Sequence, residues 1–145
     1  MTNFYLPEGL PTPSSSPDGL AAPYWEGTRA GKLRIQKCTG CSAWQWGPEW
    51  ICHRCHSFDL DWVEVKGSGR IHSYEKPHHP VHAALAGHGP YIIVLVELDG
   101  VGVRMVGNLL GDPAQAVAIG DAVEAVFEPH DNADQPYTLV QWQRA

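Results

Sequence analysis

Residues 37–58 read KCTGCSAWQWGPEWICHRCHSF and hold all four cysteines of the 145-residue chain, as two C-x-x-C pairs with ten residues between them. Two cysteines three apart on a tight turn direct both sulfurs at one ion, and a second such turn completes a tetrahedral four-thiolate shell. Cys38, Cys41, Cys52 and Cys55 thus have the spacing of a zinc ribbon or rubredoxin-like knuckle pair. Gly40 suits the tight first turn. A closed shell keeps no position for water, so the expected ion is a structural Zn2+ that staples a segment too small for a core of its own. The same thiolates accept iron, which would make the site an electron carrier. His53 and His56 flank the second pair and are expected at the surface, because four thiolates already satisfy the metal.

Outside this stretch the chain has the composition of a folded domain, with 43% apolar and 18% charged residues and with 12 Pro and 15 Gly favouring short elements joined by turns. The first residues lack the basic start and apolar run of a secretory signal, and no apolar run is long enough to span a bilayer. The cytoplasm is therefore the expected compartment, where paired C-x-x-C motifs bind metal more often than they form disulfides. The net charge is −6, unevenly placed: residues 29–76 carry eight Lys/Arg against five acids, while residues 77–145 sum to −6. The acidic half argues against a phosphate backbone as its partner. The modest basic excess is enough for one phosphorylated small molecule or a solvated face.

The local patterns fall into four stretches. Residues 1–19 read as an extended arm, since Pro7, Pro11, Pro13 and Pro17 with Ser14–Ser16 do not hold a helix. Residues 20–36 predict a short helix from Pro23 to Gly31, then a strand alternating Leu33 and Ile35 with polar neighbours. Residues 37–66 are the zinc ribbon. Residues 67–145 predict five strands: GSGRIHSYEK, a hairpin around Asp99-Gly100, DAVEAVFEPH and QPYTLVQWQRA. A brief helix is expected over GDPAQAVAIGD, between the third and fourth strands, which matches an OB-fold barrel. The fold class is mainly β, with an N-terminal helix and ribbon ahead of a five-stranded OB-fold.

In order and content, PYWEGTRAGKLRIQKCTGC, ICHRCHSFDLDWVEVKGSGRIHSYEKPHHP, PYIIVLVELDGVGVRMVGNLLG and AIGDAVEAVFE resemble a family of small bacterial and archaeal proteins. That family joins an N-terminal helix and a rubredoxin-like zinc ribbon to an OB-fold, and is described as acyl-CoA-associated after long standing as a domain of unknown function. The resemblance spans about residues 20–142. The arm before residue 20 and the histidine-rich HHPVHAALAGHG depart from it. It implies an accessory, non-catalytic subunit of a thiolase-like enzyme, such as an acyltransferase or an aldolase that shortens CoA-linked steroid side chains; members also accompany CoA-ester hydratases. No catalytic residue is assigned, since no triad, carboxylate pair or open metal site is evident.

Partner contacts are expected from Tyr24, Trp25, Trp44, Trp46 and Trp50, because helix and ribbon offer little interior for so much aromatic area. Arg34, Lys37, Arg54 and Arg70 are the candidate grip for acyl-CoA phosphates. His78, His79, His82 and His88 crowd one loop, where a second metal, an acid/base pair or plain exposure are the readings. The rival function is single-stranded nucleic-acid binding, with Tyr74, Tyr91, Tyr137 and Trp142 as the stacking platform. The scarcity of basic residues beyond Lys76 weighs against it.

Overall fold

The computed structural model describes residues 4–145; residues 1–3 of the expected arm lie outside the described residues. Helix α1 spans Ala22–Arg29, with a proline in its first turn and Arg29 in its last. It stops before Gly31, which turns the chain at φ 70° so that the Lys32 amide can donate to the Gly27 carbonyl at 2.9 Å. The helix lays Tyr24 and Thr28 inward, onto the strands Leu33–Cys38 and Tyr137–Arg144.

Strand β1 (Leu33–Cys38) is the centre of a small antiparallel sheet, with β2 (Trp44–Gln45) on one side and β3 (Leu60–Val65) on the other. Its register runs from Leu33 opposite Val65 to Cys38 opposite Leu60. The five remaining strands are β4 (Ser68–Glu75), β5 (Ile93–Leu98), β6 (Arg104–Asn108), β7 (Ala122–His130) and β8 (Tyr137–Arg144). They form one sheet in the order β6-β5-β4-β7-β8. A parallel bridge between Leu109 and Trp142, with the Leu110 amide donating to the Trp142 carbonyl at 2.7 Å, brings the two edges together, the partly open closure of an OB-fold.

Two sequence expectations change. The helix expected over residues 111–121 does not form: Asp112 caps a single turn, its carboxylate accepting from Ala114 N at 2.8 Å. Farther on, the Gly120 amide donates to the Ile71 carbonyl, extending the segment along β4. So short a helix is marginal on its own, and the long-range bonds win. The alternation expected through β4 is broken by a bulge between Ile71 and Ser73, which pair with consecutive residues Val96 and Leu95. A single 3-10 turn, Ala83–Leu85, sits in the histidine-rich loop instead.

One core cluster runs through ribbon sheet and barrel alike, from Tyr24, Leu33 and Ile35 to Ile92, Val94, Val96 and the fully buried Trp142. A small second cluster contains Cys38, Ala43 and Cys52. Two glycines permit close approach in the barrel. A Cβ at Gly69 would stand 2.4 Å from the Glu97 carbonyl oxygen, and one at Gly107 would stand 2.7 Å from the Trp142 ring. Each of Gly69→Ala and Gly107→Ala should therefore cost about 1–3 kcal/mol of stability, read as a lowered urea midpoint. An unchanged midpoint would show that the barrel yields at these contacts.

Candidate metal centre and its surroundings

The two knuckles are built alike. In the first, the Cys38 amide donates to the Ala43 carbonyl at 2.9 Å and the Ser42 amide to the Cys38 carbonyl at 2.9 Å. In the second, the Cys52 amide donates to Ser57 at 2.8 Å and the His56 amide to Cys52 at 3.0 Å. In each, the residue after the second cysteine takes the left-handed conformation, Ser42 at φ 63° and His56 at φ 62°. Gly40, singled out for the first turn, has no positive φ, and a Cβ there would meet only ordinary contacts, the nearest 3.6 Å away. The strained positions are the polar residues two places on.

The four sulfurs lie within 4.8 Å of one another, with Cys38 Sγ 3.6 Å from Cys55 Sγ and Cys41 Sγ 3.7 Å from Cys52 Sγ. A tetrahedron with zinc–sulfur bonds of about 2.3 Å has edges of about 3.8 Å, which the two short sulfur–sulfur distances match. Backbone amides of Cys41 and Arg54 point at Cys38 Sγ (3.5 Å) and Cys52 Sγ (3.4 Å). Such donors favour the thiolate form. The amides of Cys55 and Arg54 pull the Cys52 thiol down to about 6. The Ser57 amide acts on Cys55 in the same direction, yet desolvation and the three neighbouring sulfurs push that thiol up to about 12. Without a cation the four groups compete for charge, and a divalent ion removes that conflict.

Sequence reasoning missed the buried amide network beneath the shell. Gln36 clasps the backbone of Glu49 with both ends of its amide, accepting at 3.0 Å and donating at 3.0 Å. Gln45 Nε2 donates to the Ile51 carbonyl at 3.1 Å, and its Oε1 accepts from the His53 amide at 2.8 Å. That oxygen is also 2.8 Å from His53 Nδ1, so Nδ1 carries the proton and Nε2 faces away from the clasp. Gln36 and Gln45 are the signal that could have been used: neutral amides at inward strand positions need partners.

The expected aromatic contacts separate into two groups. Tyr24 is buried, and Trp25, Trp44 and Trp46 pack against the main core, with Tyr24 set between Trp25 and Trp46 at 5.0 and 4.9 Å. Trp50 remains 56% exposed, and the ribbon also exposes Ile51 and Phe58. The four candidate cations do not converge. Arg34 and Lys37 have opposite strand parity on β1; Arg34 donates to the Pro23 carbonyl and Lys37 sits 4.8 Å over the Trp44 ring. Arg70 donates to the Gly120 carbonyl at 3.1 Å, whereas Arg54 is exposed on the second knuckle.

His78 and His79 line a shallow hollow with Leu85 and Tyr91, and His82 Nδ1 caps the 3-10 turn through Ala84 N. His88 Nδ1 lies 3.4 Å from the Gly89 carbonyl. Among the described residues the cysteine set is the one group of three or more ligands close enough for a metal. The supposed nucleic-acid platform is dispersed: Trp142 is in the core, Tyr91 is buried, and Tyr137 is stacked on His130. No helix among the described residues is long and apolar enough to cross a membrane.

A four-thiolate knuckle pair ahead of a five-stranded barrel defines a zinc-ribbon and OB-fold protein. Residues 25–61 match the family model described as ChsH2, rubredoxin-like zinc ribbon domain, and residues 62–128 match ChsH2, C-terminal OB-fold domain. The chain is 37% identical over 122 residues to the 3-oxo-4,17-pregnadiene-20-carboxyl-CoA hydratase alpha subunit of Mycobacterium tuberculosis, covering 83% of this chain. It is 31% identical over 96 residues to a DUF35 domain-containing scaffold protein of Methanothermobacter thermautotrophicus, covering 66% of this chain and 71% of that one. A solved structure described as the Ltp2-ChsH2(DUF35) aldolase superposes with a TM-score of 0.76 at 34% identity, covering 92% of this chain and 98% of that one. The chain spans 30% and 37% of the length of the two hydratase alpha subunits it matches. It belongs to the ChsH2 (DUF35) family, and its four thiolates are a structural zinc site.

The purified chain should therefore carry about one zinc, bound by Cys38, Cys41, Cys52 and Cys55. Cys52→Ser should lower zinc content and loosen the ribbon, while the β-rich circular dichroism of the barrel persists after chelation. Full zinc occupancy in the Cys38→Ser/Cys52→Ser double variant would contradict the assignment. The left-handed positions give a second check. His56→Gly should bind zinc as well as the unaltered chain, and His56→Val should lower stability by about 1–2 kcal/mol, measured in urea with zinc present.

Proposed function

We propose that the chain is a non-catalytic subunit of a hetero-oligomer and binds a thiolase-like enzyme that acts on acyl-CoA. That enzyme is an aldolase of steroid side-chain breakdown or an acyltransferase, and the chain supports its stability and its hold on the acyl-CoA. The observation that carries this reading is the likeness, over nearly the whole of both chains, to a structure described as an Ltp2-ChsH2 aldolase. The related scaffold and hydratase alpha-subunit names support the same role. Chemistry agrees with it: the metal shell is closed, and the described residues bring no second set of three metal ligands together.

The ribbon supplies the contact surface. Trp50, Ile51 and Phe58 stay exposed although each is large and apolar. Partner interfaces gather such residues at their centre. The amides of Gln36 and Gln45 fix the loop that carries Trp50 and Ile51, so little order is lost when it docks. Of the four candidate cations, Arg54 has its side chain uncommitted, which makes it the first choice for a CoA phosphate. Tyr24, Trp25, Trp44 and Trp46 act from beneath, holding helix and ribbon in the docking arrangement.

Co-expression with a thiolase-like enzyme should give a complex that survives gel filtration, and the enzyme alone should be weakly active or insoluble. Trp50→Ala should weaken the complex by about 2 kcal/mol, near thirtyfold in Kd, with zinc content unchanged. The isolated chain should turn over no acyl-CoA. Turnover by it at an ordinary enzymic rate, about 1 per second or faster, would overturn the accessory reading.

A further inference from the structure

The expected arm is seated rather than free. Phe4 stacks on the His130 imidazole at 3.8 Å with the planes 15° apart, and Tyr137 covers the other face at 4.5 Å and 12°. His130 Nε2 lies 2.8 Å from Glu128 Oε1, and the other oxygen of that carboxylate accepts from the Tyr5 amide at 3.1 Å. Both side chains of this pair are nearly buried, at 14% and 13% exposure. The Tyr5 hydroxyl accepts from the Ile92 amide at 3.4 Å. At the other end of the arm, Asp18 accepts from the Trp50 indole at 3.0 Å and the Leu20 amide at 3.1 Å.

Between these anchors the segment crosses the outer face of β7–β8 and is itself one wall of a hollow of about 710 Å³. Leu6, Pro7 and Leu10 form its arm side, and Tyr137, Leu139 and Gln141 its barrel side. Pro13 continues the line into a second hollow beside Trp25 and Tyr137. Residues 4–13 form no helix or strand. The chain bends at Tyr5–Leu6 and turns at Glu8–Gly9, where Gly9 has φ 94°, and Pro7 and Pro11 on either side restrict the free segment, so less entropy is lost when it seats. Ser14–Ser16, Pro17 and Gly19 join the segment to the helix as a polar connector on which it can lift.

We propose that the outer face of β7–β8 is a binding site for a turned, proline-interrupted peptide with an aromatic residue at its N-terminal end, and that residues 4–13 occupy it as a displaceable ligand in cis. The trans occupant this chemistry selects is the same segment of a second copy. His130 is the recognition element: its imidazole is fixed by Glu128 on its edge and Tyr137 on one face, leaving the other face for the incoming ring.

The test uses the full chain, its Phe4→Ala/Tyr5→Ala variant and a fluorescein-labelled peptide FYLPEGLPTP, residues 4–13, read by anisotropy. A site open about one-tenth of the time binds an added ligand about tenfold more weakly, so the peptide should bind the variant at least about tenfold tighter than the unaltered chain. Adding His130→Ala to the variant should abolish binding. A peptide carrying Phe4→Ser should bind poorly to every chain, which tests recognition without altering the protein. Zinc content and thermal midpoint establish that each variant is folded. Equal affinity for the unaltered and arm-released chains, no binding to a folded arm-released chain, or undiminished binding of the Phe4→Ser peptide would each overturn the proposal.

Discussion

Strand β1 is shared between two cores. Leu33 and Ile35 are sealed into the cluster that also holds Val94, Val96 and Trp142, while Cys38, three residues past Ile35, is a metal ligand in the small cluster with Ala43 and Cys52. Six residues of strand therefore fix where the thiolate shell stands relative to the barrel. Helix α1 strengthens that tie, because Tyr24 belongs to the same main core. A ribbon attached only by a flexible linker would present its surface in many orientations. One attached through β1 presents it in one.

The ribbon needs this help because its own interior is three small buried side chains with Cys41 and Leu60 packed against them. So little apolar area cannot offset the entropy of ordering the loops. Two other forces do. The thiolate shell closes both knuckles on one ion, and the Gln36 and Gln45 amides bind the loop between the knuckles through its backbone. The amides are buried, so the bonds they make are costly to lose.

How far these features could be read from the sequence follows from the range of the forces that produce them. The cysteine spacing is local chemistry, and the shell lies where the spacing puts it. Asp99-Gly100 is likewise local, and β5 and β6 flank it as expected. The missing helix after Asp112 is the opposite case: its cap and proline are good local signals, but backbone bonds from Ile71, far away in sequence, draw the segment out. The bulge near His72 depends on pairing with β5, which alternation within β4 does not register. The tryptophans show the limit for surfaces. Counting aromatic side chains near a ribbon indicates too much apolar area for it to hold, but not that β1, α1 and the barrel share one core able to take Trp25, Trp44 and Trp46.

What that shared core leaves outside is informative for the same reason. Trp50, Ile51 and Phe58 lie on the side of the molecule where the buried material is sulfur and amide rather than hydrocarbon. No inward rotation would give them a core to join, so their exposure is a consequence of the architecture. Charge separates the two ends less sharply: residues 37–66 carry Lys37, Arg54 and Lys66 against Glu49, Asp59, Asp61 and Glu64, whereas the half from residue 77 onward is strongly acidic. A protein that met its partner through the barrel would place an acidic surface in the contact, and one that met it through the ribbon would place exposed apolar groups among nearly balanced charges there. An enzyme handling anionic thioesters surrounds its substrate with positive potential, which a strongly acidic neighbour at the mouth opposes and a nearly neutral one leaves intact. The ribbon is the end that suits such a partner.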